Sequence, residues 1–270
     1  MGRSACVQVD GRMMVSTDMH ASLDFGYPWW LSYGHLALAA SAGAVFLLGF
    51  LRKWSKWPLL VLGVFALWAA SVFLMVRFGV NINSVAALPT ENFLRAGTGK
   101  VLDLGAGTGR SAIMLLTARP KATVVALDLF GASFDQHFGH THTPEEILEG
   151  NLRVAGVEQR ARIVKGDMRK LPFEDASFDG IITCYAIDHL GRDGIKESLA
   201  ESYRVLKPGG EFLMMIINGR DPWLRYAFGP LLAHGGFRGQ EWWAERVKES
   251  GLQVVESGTV RASFYLVGRR

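Results

Sequence analysis

Cysteine is nearly missing from this chain: Cys6 and Cys184 are the only two in 270 residues. A pair so widely spaced excludes a disulfide framework and a cysteine-ligated zinc centre, and it fits a reducing compartment. An excess of one charge is missing too. With 29 Lys+Arg against 25 Asp+Glu the formal net charge is +4, and no lysine- or arginine-dense run marks a nucleic-acid surface. Met1 to Tyr27 mixes Arg3 and Arg12 with Asp10, Asp18 and Asp24, and it lacks the early apolar core of a secretion signal. That composition predicts a polar, loosely ordered tail over 1–28. Internal repeats and low-complexity tracts are likewise absent.

Apolar residues are abundant instead. They make up 49% of the chain, and mean hydropathy is positive, high for a purely soluble protein. The excess is concentrated. Trp29 to Leu51 and Trp57 to Val76 contain no Asp, Glu, Lys or Arg, and each is about long enough to cross a ~30 Å hydrocarbon core as a helix. Arg52, Lys53 and Lys56 separate the runs and Arg77 ends the second. Trp29, Trp30, Trp54 and Trp57 sit at their ends, where an aromatic belt would lie. Ala39 with Gly43, and Ala66 with Ala70, would let two helices approach closely. The pattern predicts a two-helix transmembrane hairpin over 29–80, followed by a connector over 81–99 in which Thr90 caps a short helix.

From residue 100 onward strand and helix signals alternate. Strands are predicted at Lys100–Leu104, Thr123–Leu127, Ala161–Lys165, Gly180–Cys184 and Glu211–Ile216, then an antiparallel pair at Leu252–Val260 and Ala262–Val267. This is an α/β, Rossmann-like parallel sheet. The first strand runs straight into VLDLGAGTGR, Val101 to Arg110. Glycines at a strand-to-helix turn place bare backbone N–H groups and a positive helix end beside a ligand. Two ligands suit such a turn, a dinucleotide or S-adenosylmethionine. The dinucleotide fingerprint wants its third glycine where Arg110 stands, whereas here the glycines alternate as Gly105, Gly107 and Gly109. Asp128 ends the second strand about twenty residues on, where an acid accepts from ribose hydroxyls.

Further motifs follow in order: Gly166-Asp167-Met168, then LPFEDASFDGI (Leu171 to Ile181), then Arg204 to Gly210 (RVLKPGG), read as a helix end and turn. With VLDLGAGTG and Asp128 they resemble the class I S-adenosylmethionine-dependent methyltransferases, in particular the small-molecule group that includes the ubiquinone/menaquinone enzymes. The resemblance covers about Thr98 to the end and leaves the hairpin as an addition. It implies a seven-stranded sheet over 100–270 and a cofactor site of Asp103, Gly105, Ala106, Gly107, Gly109, Asp128, Leu129, Asp167, Met168 and Cys184. There the glycine turn lies under the amino-acid part of the cofactor, Asp128 holds the ribose, Leu129 flanks the adenine and Asp167 accepts from its amino group.

The resemblance also places acceptor contacts after the fourth strand, where Asp188 and His189 are the candidates for a general base; packing or capping is the competing role for His189. The Asn/Asp-Pro-Pro-Tyr pattern of adenine and amide methyltransferases is absent there, which argues against nucleic acid or protein amides as acceptors. Asp135, His137, His140 and His142 have metal-binding chemistry but no cysteine partner. No metal is assigned; they shape an acceptor pocket or form a surface loop. The aromatic stretch Asp221 to Trp243 reads as a packed cap, a lid over an apolar acceptor, or a second membrane contact. The expectation is a membrane-anchored methyltransferase acting on a small apolar or amphipathic acceptor: a quinone precursor, lipid, phenol or thiol. The alternatives are a nicotinamide oxidoreductase and a non-catalytic cofactor-binding scaffold. Basic residues flank the hairpin on both sides, so cofactor supply decides its orientation, with the catalytic domain cytoplasmic.

Overall fold

The computed structural model describes residues 8–9, 12–13, 23–27, 29–80, 84–131, 143–229 and 238–270. It divides into two compact units, Met1–Gly26 with Val85–Arg270, and Tyr27–Ser84.

The smaller unit is a helical hairpin, α1 (Trp29–Leu51) and α2 (Lys56–Leu74), the latter running on through a π-helical turn, Met75–Val80. Both spans are long and apolar enough to cross a membrane, and only 11% and 17% of their most apolar windows are buried. Leu51, Trp57 and Leu67 are largely exposed. Ser32, Ala42 and Gly49 on α1 and Ala69 and Val72 on α2 are buried, and between the helices Tyr33 packs against Phe73 and His35 against Trp68. The predicted Ala39/Gly43 and Ala66/Ala70 pairs are half-buried, but a Cβ on Gly43 would meet nothing within 4 Å, so that position is not one of close approach. Gly49 is required because the Trp54 ring folds back onto it, leaving a Cβ only 2.6 Å from the ring. Lys53 adopts φ +56°, and the Trp54 N–H bonds the Gly49 carbonyl while the Lys53 N–H bonds that of Phe50. This is a Schellman ending with lysine in the position glycine usually takes.

The larger unit holds the seven-stranded sheet: β1 (Thr98–Leu104), β2 (Lys121–Asp128), β3 (Ala161–Lys165), β4 (Phe178–Cys184), β5 (Leu206–Ile217), β6 (Gln253–Val260) and β7 (Ser263–Arg269). Their order is β3-β2-β1-β4-β5-β7-β6. Only β7 runs antiparallel to its two neighbours. Helices cover both faces of the parallel part, so its strands are continuous apolar runs rather than alternating ones: Val101, Leu102, Asp103 and Leu104 are all buried. Leu102, Phe178, Phe212 and Trp243 anchor the core. Between the strands lie α3 (Arg110–Ala118), α4 (Pro144–Val154), α5 (Arg192–Val205), α6 (Pro222–Phe228) and α7 (Gln240–Glu249). The α4 start is the predicted capping box. The Glu146 N–H donates to Thr143 Oγ1 at 3.3 Å and the Thr143 N–H to Glu146 Oε2 at 2.9 Å.

Two local expectations need correcting. Thr90 does accept from the Asn92 N–H at 3.1 Å, but no helix follows. Leu94 and Gly97 take positive φ, and the segment turns tightly into β1, because burying Phe93 outweighs helix propensity. The turn at Lys207–Gly210 lies inside β5: α5 ends at Val205 and the strand starts at once. Leu206 pairs with Phe178 and Glu211 with Gly180, so the chain bulges out between them with Gly209 at φ +76°. Arg204 then ties this motif to LPFEDASFDGI. Its Nη1 donates to the Phe173 carbonyl and its Nη2 to that of Leu171, at 2.8 and 3.1 Å.

Candidate active site

Strand order reverses between β1 and β4, and ligands of open α/β sheets bind at the carboxyl ends beside such a reversal. Gly105, Gly107 and Gly109 turn there with φ of +73°, +52° and +92°. The Gly105 and Ala106 N–H groups bond the Leu127 carbonyl at 2.9 and 3.1 Å, and the Gly109 N–H bonds that of Ala106 at 2.8 Å. A Cβ at Gly105 would stand 2.3 Å from that of Ala186 and 3.0 Å from Met168 Cε; one at Gly109 would stand 2.4 Å from Leu148. Glycine is therefore forced twice over, by backbone conformation and by the closeness of the neighbouring loops. The turn brings the ends of β1, β2 and β4 and the loop after β3 together.

Two carboxylates flank the turn in different states. Asp128, at the end of β2, accepts from the Gly107 N–H through Oδ2 at 2.9 Å and from the Phe130 N–H through Oδ1 at 3.1 Å. Each oxygen keeps a lone pair for a further donor. Asp103 is fully buried. Its Oδ2 accepts from Ser111 Oγ at 2.6 Å, while Oδ1 has no hydrogen-bond partner. Burial is the main reason its pKa rises to about 7, with the nearby Asp128 charge adding to it and the Ser111 bond opposing it. Cys184, at the end of β4, has its thiol pushed up by burial and by Asp103, while Arg110 pulls it down.

The other expected residues divide. Met168 packs toward Gly105, and Leu129 is half-exposed at the end of β2. Asp167 is already engaged. Arg169 binds it bidentately, Nη2 to Oδ2 at 2.6 Å and Nε to Oδ1 at 3.0 Å, and this pairing holds its carboxyl below the usual range. Asp188 and His189 form a 3-10 turn after β4. Asp188 Oδ1 is buried without a partner. Burial raises its pKa, while His189 and Arg238 pull the other way. His189 is exposed, and Gly191 rather than His189 caps α5. Tyr185 stands in the left-handed region at φ +57°, with its hydroxyl 3.0 Å from Ser263 Oγ.

Ser111, Thr108, Asn151 and Ala186 escaped the sequence reading. Only Ser111 left a signal, a hydroxyl in the first turn of the helix that the glycines open. The Asp135–His142 cluster lies outside the described residues. Among the described residues no group of three His, Cys, Asp or Glu side chains is arranged to hold a metal. The aromatic stretch splits: Trp243 is buried in the core and Leu224 faces inward, whereas Trp223 and Tyr226 are exposed. Leu231, Leu232 and Phe237 lie outside the described residues.

A family model described as a methyltransferase domain matches residues 101–210. That segment, the glycine turn through the end of the bulge in β5, is thus similar to a methyltransferase domain. It is 34% identical over 118 residues to the ubiquinone/menaquinone biosynthesis C-methyltransferase UbiE of Dinoroseobacter shibae, spanning 43% of this chain and 41% of that one. It is 35% identical over 117 residues to the sterol 4-C-methyltransferase strm-1 of Caenorhabditis elegans, across 42% and 29% of the two chains. The chain thus spans less than half the length of these curated relatives. An O-methyltransferase family protein from Burkholderia thailandensis shares the fold with a TM-score of 0.55 at 20% identity, over 76% of this chain and 58% of that one.

S-adenosylmethionine, the cofactor of this methyltransferase class, fits the residues present. Asp128 offers two open acceptor positions beside the turn, and Asp103 carries an unsatisfied buried oxygen under it. A buried carboxyl whose proton burial retains is one that the ammonium or sulfonium charge of such a ligand would ionise.

Proposed function

We propose that this protein is a membrane-anchored methyltransferase that moves a methyl group from S-adenosylmethionine to a small apolar or amphipathic acceptor, with residues 100–270 as the catalytic domain, cytoplasmic, and 29–80 as the anchor. The observation that carries the reading is the meeting of the glycine turn, Asp103, Asp128 and Met168 at the strand-order reversal. Two apolar helices in the same chain support the anchor. The printed names of the relatives, a quinone-pathway and a sterol methyltransferase, support an apolar acceptor.

When bound, S-adenosylmethionine supplies an already activated methyl group, so the chain's own residues have to orient and exclude water rather than activate. The glycine turn lets the amino-acid end approach the backbone, and Asp128 fixes the ribose. Leu129 flanks the adenine, and Asp167, held ionised by Arg169, accepts from its amino group. Cys184 and Asp103 line the methionine end. Asp188 and His189 take the proton of an acceptor hydroxyl, thiol or activated carbon where the reaction releases one. The expected result by calorimetry on the full chain in detergent is adenosylhomocysteine binding at micromolar Kd, weakened at least tenfold in Asp128→Ala. Equal binding by wild type and variant overturns the site.

A further inference from the structure

The tail expected to be loosely ordered is docked where it meets the catalytic unit. Leu23 and Phe25 are buried, and a single side chain, Asn151 on α4, reads the strap's backbone as a neighbouring strand would. Asn151 Oδ1 accepts from the Asp24 N–H at 3.0 Å, and its Nδ2 donates to the Asp24 carbonyl at 2.6 Å. The second Nδ2 proton goes to the carbonyl of Thr108, inside the glycine turn, at 2.8 Å. Thr108 answers from the other side, its hydroxyl donating to the Phe25 carbonyl at 3.1 Å. The Asp24 carboxylate accepts from the Gly26 N–H at 2.8 Å, closing the strap into a turn at Gly26, φ +77°. Arg110, the first residue of α3, lies with its guanidinium 5.9 Å from the centre of the Phe25 ring, and its charge also reaches the Cys184 thiol. The strap is therefore tied to the glycine turn directly, through Thr108, and to the start of α3 through Arg110.

We propose that Leu23–Gly26 is a strap that completes the cofactor cradle, with Asn151 as the positioning residue that clasps strap and glycine turn together, so that cofactor affinity depends on the segment leading into α1. The proposal rests on the cofactor reading above. The physical reason is preorganisation. Three residues of the turn are held at positive φ, a conformation with a real entropic cost unless neighbours fix it before the ligand arrives. Thr108 is the residue between two of those glycines, and the clasp uses both its carbonyl and its hydroxyl. Simple packing of a tail would not need the turn at all. Coupling of this kind is reciprocal: if a docked strap tightens ligand binding, bound ligand must hold the strap down by the same factor.

The test uses the full chain in detergent micelles with adenosylhomocysteine as probe. Calorimetry on wild type, Asn151→Ala and Thr108→Val is paired with hydrogen exchange at the Asp24 and Gly26 amides, with and without probe. Asn151→Ala is expected to weaken binding about tenfold, the equivalent of one lost buried amide bond, and Thr108→Val to weaken it less. In wild type the probe is expected to slow exchange at both amides by a similar factor, a readout that survives even if Asn151→Ala misfolds. Wild-type binding with unchanged strap exchange, or binding undiminished in a folded Asn151→Ala, overturns the strap while leaving the cofactor site standing. No binding by wild type overturns both.

Discussion

Replacing Asp103 by asparagine tests the electrostatics of the glycine turn without disturbing its shape. Asp103 is fully buried, and its pKa lies at about 7 against 3.8 in the ordinary state. The folded state therefore holds the Asp103 proton more tightly than the unfolded chain does. Stability from this group is complete below about pH 4 and is lost as pH rises through about 7. Carrying that pKa from 3.8 to about 7 amounts to about 4 kcal/mol in all. Somewhat under half of that is already lost at pH 5, and a further 2–3 kcal/mol, roughly, goes between pH 5 and pH 8.5. The Asp103→Asn variant has no charge to bury there and keeps an oxygen for the Ser111 hydroxyl, so its stability lacks this slope. Urea unfolding of both proteins in detergent, followed by tryptophan fluorescence at pH 5 and 8.5, measures the difference. Other titrating groups cancel between the two. The variant should gain roughly 2–3 kcal/mol on wild type across that interval. Parallel profiles would mean that Asp103 is solvated or paired, and the argument would be wrong.

Three further outcomes are expected. Gly105→Ala forces a side chain into the left-handed region and against Ala186. It should cost about 2–4 kcal/mol of stability, read in the same urea titration, with adenosylhomocysteine binding lost or severely weakened. Asp188→Asn and His189→Ala should leave Kd for adenosylhomocysteine within about twofold while lowering the methyl-transfer rate by about 10²-fold or more once an acceptor is in hand; an unchanged rate removes them from the mechanism. Deleting 29–80 while joining the strap to residue 84 through a flexible linker should move the protein from the membrane to the soluble fraction on ultracentrifugation, and retention in the membrane would remove the anchor from the account.

What could be read beforehand was what is local. The capping box at Thr143 and Glu146 involves residues three apart, and the apolar runs of β1, β2 and β4 carry their burial in their own composition. The glycine turn and Asp128 were legible because each sits at the end of a strand, where the chain's direction is nearly determined by the strand itself. Asn151 was not. Its partners are 43 and 127 positions away, and nothing in an amphipathic helix such as α4 distinguishes an asparagine that clasps a distant strap from one that faces water. Arg160 is similar: its guanidinium gathers the carbonyls of Leu116, Arg119 and Ala122 at 3.0–3.3 Å, contacts that exist only after the sheet has formed. Lys207–Gly210 failed for the opposite reason. Proline and glycines signalled a turn, and the chain did bulge there, but pairing of Leu206 with Phe178 kept the segment within the strand. Asp167 had the expected place and an unexpected partner, because Arg169 lies close enough in sequence to reach it yet no spacing rule separates that pair from two solvated charges.

The central claim is that the glycine turn and Asp128 deliver a methyl group to an apolar acceptor. The most direct measurement is transfer of label from methyl-labelled S-adenosylmethionine into total membrane lipid extract and into the soluble fraction by the purified full chain, with products identified by mass spectrometry. The account predicts a labelled product in the lipid extract, formed by wild type and lost in Asp128→Ala. Label entering only soluble polar products, or transfer undiminished in Asp128→Ala, would contradict it.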